Sequence, residues 1–125
     1  MKITPMIYVQ EIEASLPFWM ERLGFEKIAE VPDGKKLGFV ILKKDHAELM
    51  IQSRNSVGSD IPAVMEFARP AFCLYVEVSD FEDLKKRLAG ADVIFPERTT
   101  FYHMRETLVR EPGGNLVLFA SPVKK

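Results

Sequence analysis

The stretch Met6-Ile7-Tyr8-Val9-Gln10-Glu11-Ile12-Glu13-Ala14-Ser15-Leu16-Pro17-Phe18-Trp19-Met20-Glu21-Arg22-Leu23-Gly24 decides how this chain is read. Its first four residues form a short apolar run stopped by Gln10 and Glu11, the pattern of a strand. Ile12, Leu16, Trp19 or Met20, and Leu23 then recur at helical spacing, and Gly24 stands where a helix can end in left-handed backbone. Pro17 is expected in the first helical turn, where a missing N–H does little harm. Downstream, residues 26–31 read as a strand and Pro32-Asp33-Gly34 as a turn. Residues 37–43 and 48–52 are two further strands, separated by Lys44-Asp45-His46. The order of elements is β-α-β-β-β.

That order recurs. Residues 54–69 read as a linker whose first part, 54–62, is irregular, with Asn55, Ser56, Gly58, Ser59 and Pro62; residues 61–67 form a turn of helix or cover a sheet edge. Residues 72–78 are a strand, and Ser79-Asp80 caps a helix running through Leu84, Leu88 and Ala89 to Gly90. Residues 93–95, 106–110 and 116–120 complete the set, with a turn at Pro112-Gly113-Gly114-Asn115. The spacing supports a duplication: Thr4, Val9 and Glu11 correspond to Cys73, Val78 and Asp80 with a shift of 69, and Met50 corresponds to Leu118 with 118 − 50 = 68. The expected organisation is an α+β fold: one domain over residues 1–125, made of modules 1–53 and 70–125 joined by the linker 54–69.

Composition narrows the function. The 125 residues are 47% hydrophobic and 28% charged, a balance that favours a packed core over disorder. Seventeen basic and eighteen acidic residues leave a net charge of −1, without the basic surplus of a nucleic-acid binder. The basic pairs Lys35-Lys36, Lys43-Lys44, Lys85-Lys86 and Lys124-Lys125 lie near acids and read as solvated faces. The single cysteine, Cys73, excludes an internal disulfide framework and a cysteine-rich zinc site. The first residues lack a secretion-signal pattern, and no apolar run approaches the roughly 18 residues of a membrane span. The expectation is a cytoplasmic protein with a reduced thiol and no nucleic-acid or membrane partner. Walker, Rossmann and nucleophile-elbow patterns are absent, and Gly34, Gly38, Gly113 and Gly114 read as turn residues.

Two motifs carry a family resemblance. Phe18-Trp19-Met20-Glu21-Arg22-Leu23-Gly24-Phe25, preceded by Glu13-Ala14-Ser15-Leu16-Pro17, is one; Arg105-Glu106 followed by Glu111-Pro112-Gly113-Gly114-Asn115 is the other. Together, at this spacing and in a duplicated chain, they resemble the vicinal oxygen chelate superfamily. It comprises glyoxalase I, bleomycin-resistance proteins, fosfomycin-resistance enzymes and extradiol dioxygenases. The resemblance covers nearly the whole chain. It implies two βαβββ modules whose curved mixed sheets form a cleft, usually in a homodimer and sometimes with swapped modules. In metal-dependent members, His, Glu or Gln ligands come from the first strand and a late strand of each module. Carried over, those positions are Thr4, Met50, Cys73 and Leu118. A hydroxyl, a thioether, a thiol and an alkyl group are not the imidazole and carboxylate set that such an ion requires. No cofactor is therefore expected.

Strand periodicity then separates two faces. Ile7, Val9, Leu49, Ile51, Leu74, Val76, Val117 and Phe119 are uniformly apolar and read as core. Thr4, Met6, Tyr8, Glu48, Met50, Gln52, Cys73, Tyr75, Glu77, Leu116 and Leu118 form a mixed face, suited to an adaptable apolar pocket with a few orienting polar groups. The expected ligand-binding residues are Tyr8, Glu48, Met50, Cys73, Tyr75, Glu77, His103, Arg105 and Leu118. His103 reads first as an ordinary strand or loop residue and only second as a ligand or base, and Arg105 either clamps an anion or, more commonly, pairs with Glu106. His46 reads as a solvated turn residue, Cys73 as a buried inert thiol, and Phe18, Trp19, Phe39 and Phe67 as core or interface.

The resulting expectation is a homodimeric small-molecule-binding protein of the bleomycin-resistance type. It would sequester a partly aromatic or cationic ligand without metal chemistry. The alternatives are a glyoxalase or lyase-type enzyme with an unorthodox metal set of Glu48, Glu77 and His103, and a non-catalytic interaction subunit.

Overall fold

The computed structural model describes residues 2–62 and 73–123. The chain divides into two compact units, residues 1–69 and 70–125, each built around a four-stranded sheet.

In the first unit, β1 (Met6–Val9) leads into α1 (Ile12–Leu16), which continues as a π-helical segment, Pro17–Arg22. Strands β2 (Glu26–Asp33), β3 (Lys36–Lys44) and β4 (Ala47–Ser53) follow, and α2 (Arg54–Asp60) ends the described part. The sheet order is β1-β4-β3-β2, with β1 parallel to β4 and the other pairs antiparallel.

In the second unit, β5 (Cys73–Glu77) is followed by α3 (Phe81–Arg87), β6 (Asp92–Thr99), β7 (Met104–Arg110) and β8 (Leu116–Pro122). Its order is β5-β8-β7-β6, with β5 parallel to β8, which repeats the first sheet strand for strand. The ladders also repeat. Met6 pairs with Met50, and Tyr75 with Leu118, so the shifts of 75 − 6 = 69 and 118 − 50 = 68 hold in the hydrogen-bonded register.

Each core is one face of its sheet. Ile7, Val9, Val40, Leu42 and Ile51 are completely buried in the first unit, as are Val109, Val117 and Phe119 in the second. Leu74 and Val76, on the edge strand β5, are only half-buried. In the first unit α1 and α2 pack on β3 and β4; in the second, Phe81 of α3 lies beneath the Arg105 guanidinium of β7. Trp19, 1% exposed, meets Phe18 and Phe25 edge-on at 5.1 and 5.5 Å. No helix among the described residues is long and apolar enough to cross a membrane.

Several local expectations change. Pro17 is not in the first turn: the helix starts at Ile12, and the proline sits where α geometry gives way to π geometry. Its missing N–H interrupts the regular ladder there. The irregular linker expected from Arg54 is helical as far as Asp60, because the Ser53 side chain accepts the Ser56 N–H as an N-cap and Val57 is buried. The reading of residues 61–67, including Phe67, falls almost wholly outside the described residues, as do Phe72 and the Lys124-Lys125 pair. Gly38 lies inside β3 rather than in a turn. The short strand expected at 93–95 extends over Asp92–Thr99 through two register shifts that accommodate Pro96 on an edge strand.

Candidate ligand-binding faces

The face of each sheet opposite its core is the mixed one. In the first unit, hydrogen-bonded pairing lines up Met6, Met50, Ile41 and Ala29 in one row and Tyr8, Gln52, Phe39 and Val31 in the next. Met6, Tyr8, Phe39, Ile41 and Met50 are all half-buried. Glu48 is on the same face, opposite Lys43, and its carboxylate pairs with the Lys2 ammonium. Gln52 is buried, and its Nε2 donates to Ser56 Oγ at 3.3 Å. Thioethers, rings and one paired carboxylate make an adaptable apolar wall with a polar margin.

In the second unit the rows are Cys73, Leu116, Arg110 and Asp92; Tyr75, Leu118, Leu108 and Phe95; and Glu77, Ala120, Glu106 and Arg98. Tyr75 is 53% exposed. Partial desolvation, then the negative charge of Glu106, with smaller contributions from Tyr102 and Glu77, pushes its hydroxyl above the usual tyrosine range. Tyr75 is therefore a neutral hydrogen-bond donor at physiological pH.

Cys73 is exposed, not buried as expected, because it opens an edge strand. Desolvation outweighs the Leu118 backbone contact and raises its thiol, the opposite of what a nucleophile needs. His103 is an exposed turn residue with left-handed backbone (φ 64°) between β6 and β7. Its backbone closes that turn: its N–H donates to the Thr100 carbonyl, and its carbonyl accepts from Val123.

Arg105 stands apart from the others. It neighbours Ser121 in the ladder, on the same face of β7 as Thr107 and Val109, and so faces α3. Its guanidinium bonds Glu82 and Glu97 and lies 4.6 Å from the Phe81 ring centroid. The expected pairing with Glu106 does not form, since adjacent strand residues point to opposite faces. Glu106 instead receives Arg98 Nε and Nη2 on Oε1 at 2.9 and 2.8 Å and the Tyr102 hydroxyl on Oε2 at 2.9 Å.

The structure thus groups Tyr8 and Met50 with Glu48 on one open face, and Cys73, Tyr75, Glu77 and Leu118 on the other. Sequence reasoning did not place Glu106 on this face. The signal was available: counting alternate residues from Arg110 puts Leu108 and Glu106 on one face. The neighbouring motif residue Glu111 has another task. It is 1% exposed, and its Oε1 accepts the Asn115 N–H and Nδ2 at 2.9 and 2.8 Å, tying the final hairpin turn.

The positions that the resemblance reserves for metal ligands do not fit a divalent ion. They hold Thr4, Met50, Cys73 and Leu118, and no group of three His, Cys, Asp or Glu able to hold an ion occurs among the described residues. Glu48, Glu77 and His103 accordingly do not make such a set.

Comparison with solved structures gives the same architecture. TioX from Micromonospora sp. ML1 matches with a TM-score of 0.75 at 17% identity, covering 98% of this chain and 99% of that one. A lactoylglutathione lyase from Agrobacterium tumefaciens matches with a TM-score of 0.76 at 16% identity, covering 97% and 92%. A glyoxalase/bleomycin resistance protein/dioxygenase family enzyme from Burkholderia phytofirmans PsJN matches with a TM-score of 0.76 at 19% identity, covering 96% and 97%. No curated protein matches. At these identities the structural likeness speaks for the fold, and the family rests on the sequence model of that family, which matches residues 3–119. With the repeated β-α-β-β-β ladders and both motifs in place, the chain belongs to the Glyoxalase/Bleomycin resistance protein/Dioxygenase superfamily.

Proposed function

We propose that the protein binds a small, partly aromatic or cationic molecule on the open faces of its sheets and sequesters it, in the manner of bleomycin-resistance proteins. The observation that carries this reading is the asymmetry of the two sheet faces. One face is mostly buried and apolar; the other presents half-exposed methionine, tyrosine and leucine together with carboxylates. Apolar walls supply affinity, and a few polar groups fix orientation. Metal-assisted lyase chemistry, which the name of one structural neighbour would suggest, has no donor set at Thr4, Met50, Cys73 and Leu118. A homodimer belongs to the proposal. Exposed Ile28 and Val31 on β2, and Val93 and Ile94 on β6, leave apolar surface on one edge strand of each sheet for a second copy. A cytoplasmic setting is also proposed, in keeping with a single cysteine.

The test is a thermal-shift screen of aromatic and cationic compounds against the wild type, Met50→Arg and Leu118→Arg. A ligand at about 100 times its Kd stabilises by about 2.7 kcal/mol and raises Tm visibly. The expected result is a saturable rise in the wild type, lost in the variant whose sheet face holds the compound, with the compound recovered unchanged. Turnover of the compound, or about one tightly held metal ion per chain by elemental analysis, would overturn the reading.

A further inference from the structure

Glu106 is completely buried, yet it stands on the open face of the second sheet, in the row Glu77, Ala120, Glu106, Arg98. The fold does not demand a carboxylate there. The corresponding row of the first module is Tyr8, Gln52, Phe39, Val31, so the place of Glu106 is filled by Phe39 and that of Arg98 by Val31. Burying a carboxylate is costly unless it is paired and hydrogen-bonded. A duplicated fold that manages with a phenyl ring at one position and carries a charge at its twin holds that charge for something other than folding.

What the charge recognises is displayed by the protein itself. Arg98, whose side chain is 55% exposed, reaches from the edge strand β6 and places its guanidinium on Glu106 Oε1. The Arg98 Cζ lies 4.9 Å from the Phe95 ring centroid. A planar cation is thus held between an aromatic ring and a buried carboxylate by a flexible, half-exposed side chain. Tyr102, 48% exposed, donates to the other oxygen, and Tyr75 adds a neutral hydroxyl in the adjoining row. Both Arg98 nitrogens contact one oxygen, so the carboxylate is not engaged in the two-oxygen fork that an end-on amidinium makes.

We infer that Glu106, Phe95 and Tyr102 form a site for a planar amidinium- or guanidinium-bearing ligand, which Arg98 occupies until the ligand displaces it. The inference deepens the binding reading, resting on it for placing the ligand on this open face, and it assigns the anchor and the cationic class. The ligand's cation takes the place of the Arg98 guanidinium on Glu106, and the freed arginine turns into solvent. The buried carboxylate is paired at both stages.

The experiment uses the full-length chain with benzamidine as probe and neutral benzamide as its isosteric control, read by calorimetric titration and by thermal shift. Arg98→Ala empties the site, and Arg98→Gln, which keeps a neutral donor, is measured beside it in case the alanine variant does not fold. Removal of the competing arginine is expected to tighten benzamidine binding by about ten-fold or more relative to the wild type. Benzamide should not bind, and adding Glu106→Gln to either variant should abolish the gain. Equal benzamidine affinity in the wild type and in both Arg98 variants overturns the inference, as does benzamide binding as well as benzamidine, or a gain that survives Glu106→Gln. If the Arg98 variants ignore benzamidine while the wild type still answers the compound screen in a manner blocked by Met50→Arg, the cation site fails and the broader binding reading stands. A Glu106-dependent benzamidine response, with no other compound answering the screen and no loss in Met50→Arg or Leu118→Arg, supports the site and removes the reading of the apolar walls as the source of affinity.

Discussion

Ser56 stands against the backbone of Gly38: a Cβ placed on that glycine would lie 3.0 Å from Ser56 Oγ and 3.1 Å from Ser56 Cβ, and 2.9 Å from Asp33 Cβ. Gly38 lies in β3 on the face that packs α2, and Ser56 is the residue whose N–H the Ser53 cap holds. The glycine is there for close approach, not for a turn. Gly38→Ala should force β3 and α2 apart and cost about 1–3 kcal/mol, measurable as a lowered denaturant midpoint. An unchanged midpoint would mean that α2 shifts freely and does not help to fix the sheet.

Asp80 is a helix start on which sequence and structure agree. Its Oδ1 accepts the Asp83 N–H at 3.0 Å, and Glu82 and Asp83 put negative charge in the first turn of α3. Asp80→Ala should cost about 1 kcal/mol, with Asp80→Ser restoring most of it. If alanine and serine behave alike, the cap contributes nothing and α3 is held by Phe81 and Leu84 alone.

Strand and helix order, the repeat and the two sheet faces were legible because they depend on local periodicity, which Ile7, Val9, Leu49 and Ile51 express plainly. The shifts of 69 and 68 map one module onto the other, so once Met6 is seen beside Met50, Tyr75 falls beside Leu118. Arg105 and Glu106 were harder. Adjacent in sequence and opposite in charge, they suggest a pair, but consecutive strand residues face opposite ways, and each finds its partner across the sheet. Those partners, Arg98 for Glu106 and Glu97 with Glu82 for Arg105, depend on where β6 bulges, and a strand containing Pro96 gives no clean period from which to count. The helix at Arg54–Asp60 was missed because asparagine, serine and glycine disfavour helix interiors, while the Ser53 cap and the buried Val57 override that preference.

Arg105 gives the helix side of the second module a pH-dependent contribution. Hydrogen bonds from Arg105 and then Lys85 hold the carboxyls of Glu97 and Glu82 below the usual carboxylate range. A lowered folded-state value stabilises above the unfolded value of about 4.3 and is lost as pH falls through the folded values. Both carboxylates are substantially exposed, so salt weakens the effect. Arg105→Gln should lower Tm at neutral pH, partly through the lost contact with Phe81. It should also flatten the fall in Tm between about pH 5 and pH 3 relative to the wild type. Parallel curves in that window would assign the whole effect to packing.

The Arg98–Glu106 pair can be exchanged for the row that its own twin uses. In the first module the equivalent places hold Val31 and Phe39, and that sheet has the same strand order. Arg98→Val alone leaves a buried carboxylate with only the Tyr102 hydroxyl, and should cost about 1–3 kcal/mol. The double variant Arg98→Val/Glu106→Phe removes both charges together and should recover that loss, since replacing a buried ion pair by apolar groups of similar volume is often neutral or stabilising by about 1–4 kcal/mol. Chemical denaturation of the two variants beside the wild type separates the possibilities. If the double variant is at least as stable as the wild type, the charges are not there for stability, and the carboxylate on this face is free to serve a ligand. If it is less stable than Arg98→Val alone, the pair is structural and the twin row is not a guide to what this face can hold.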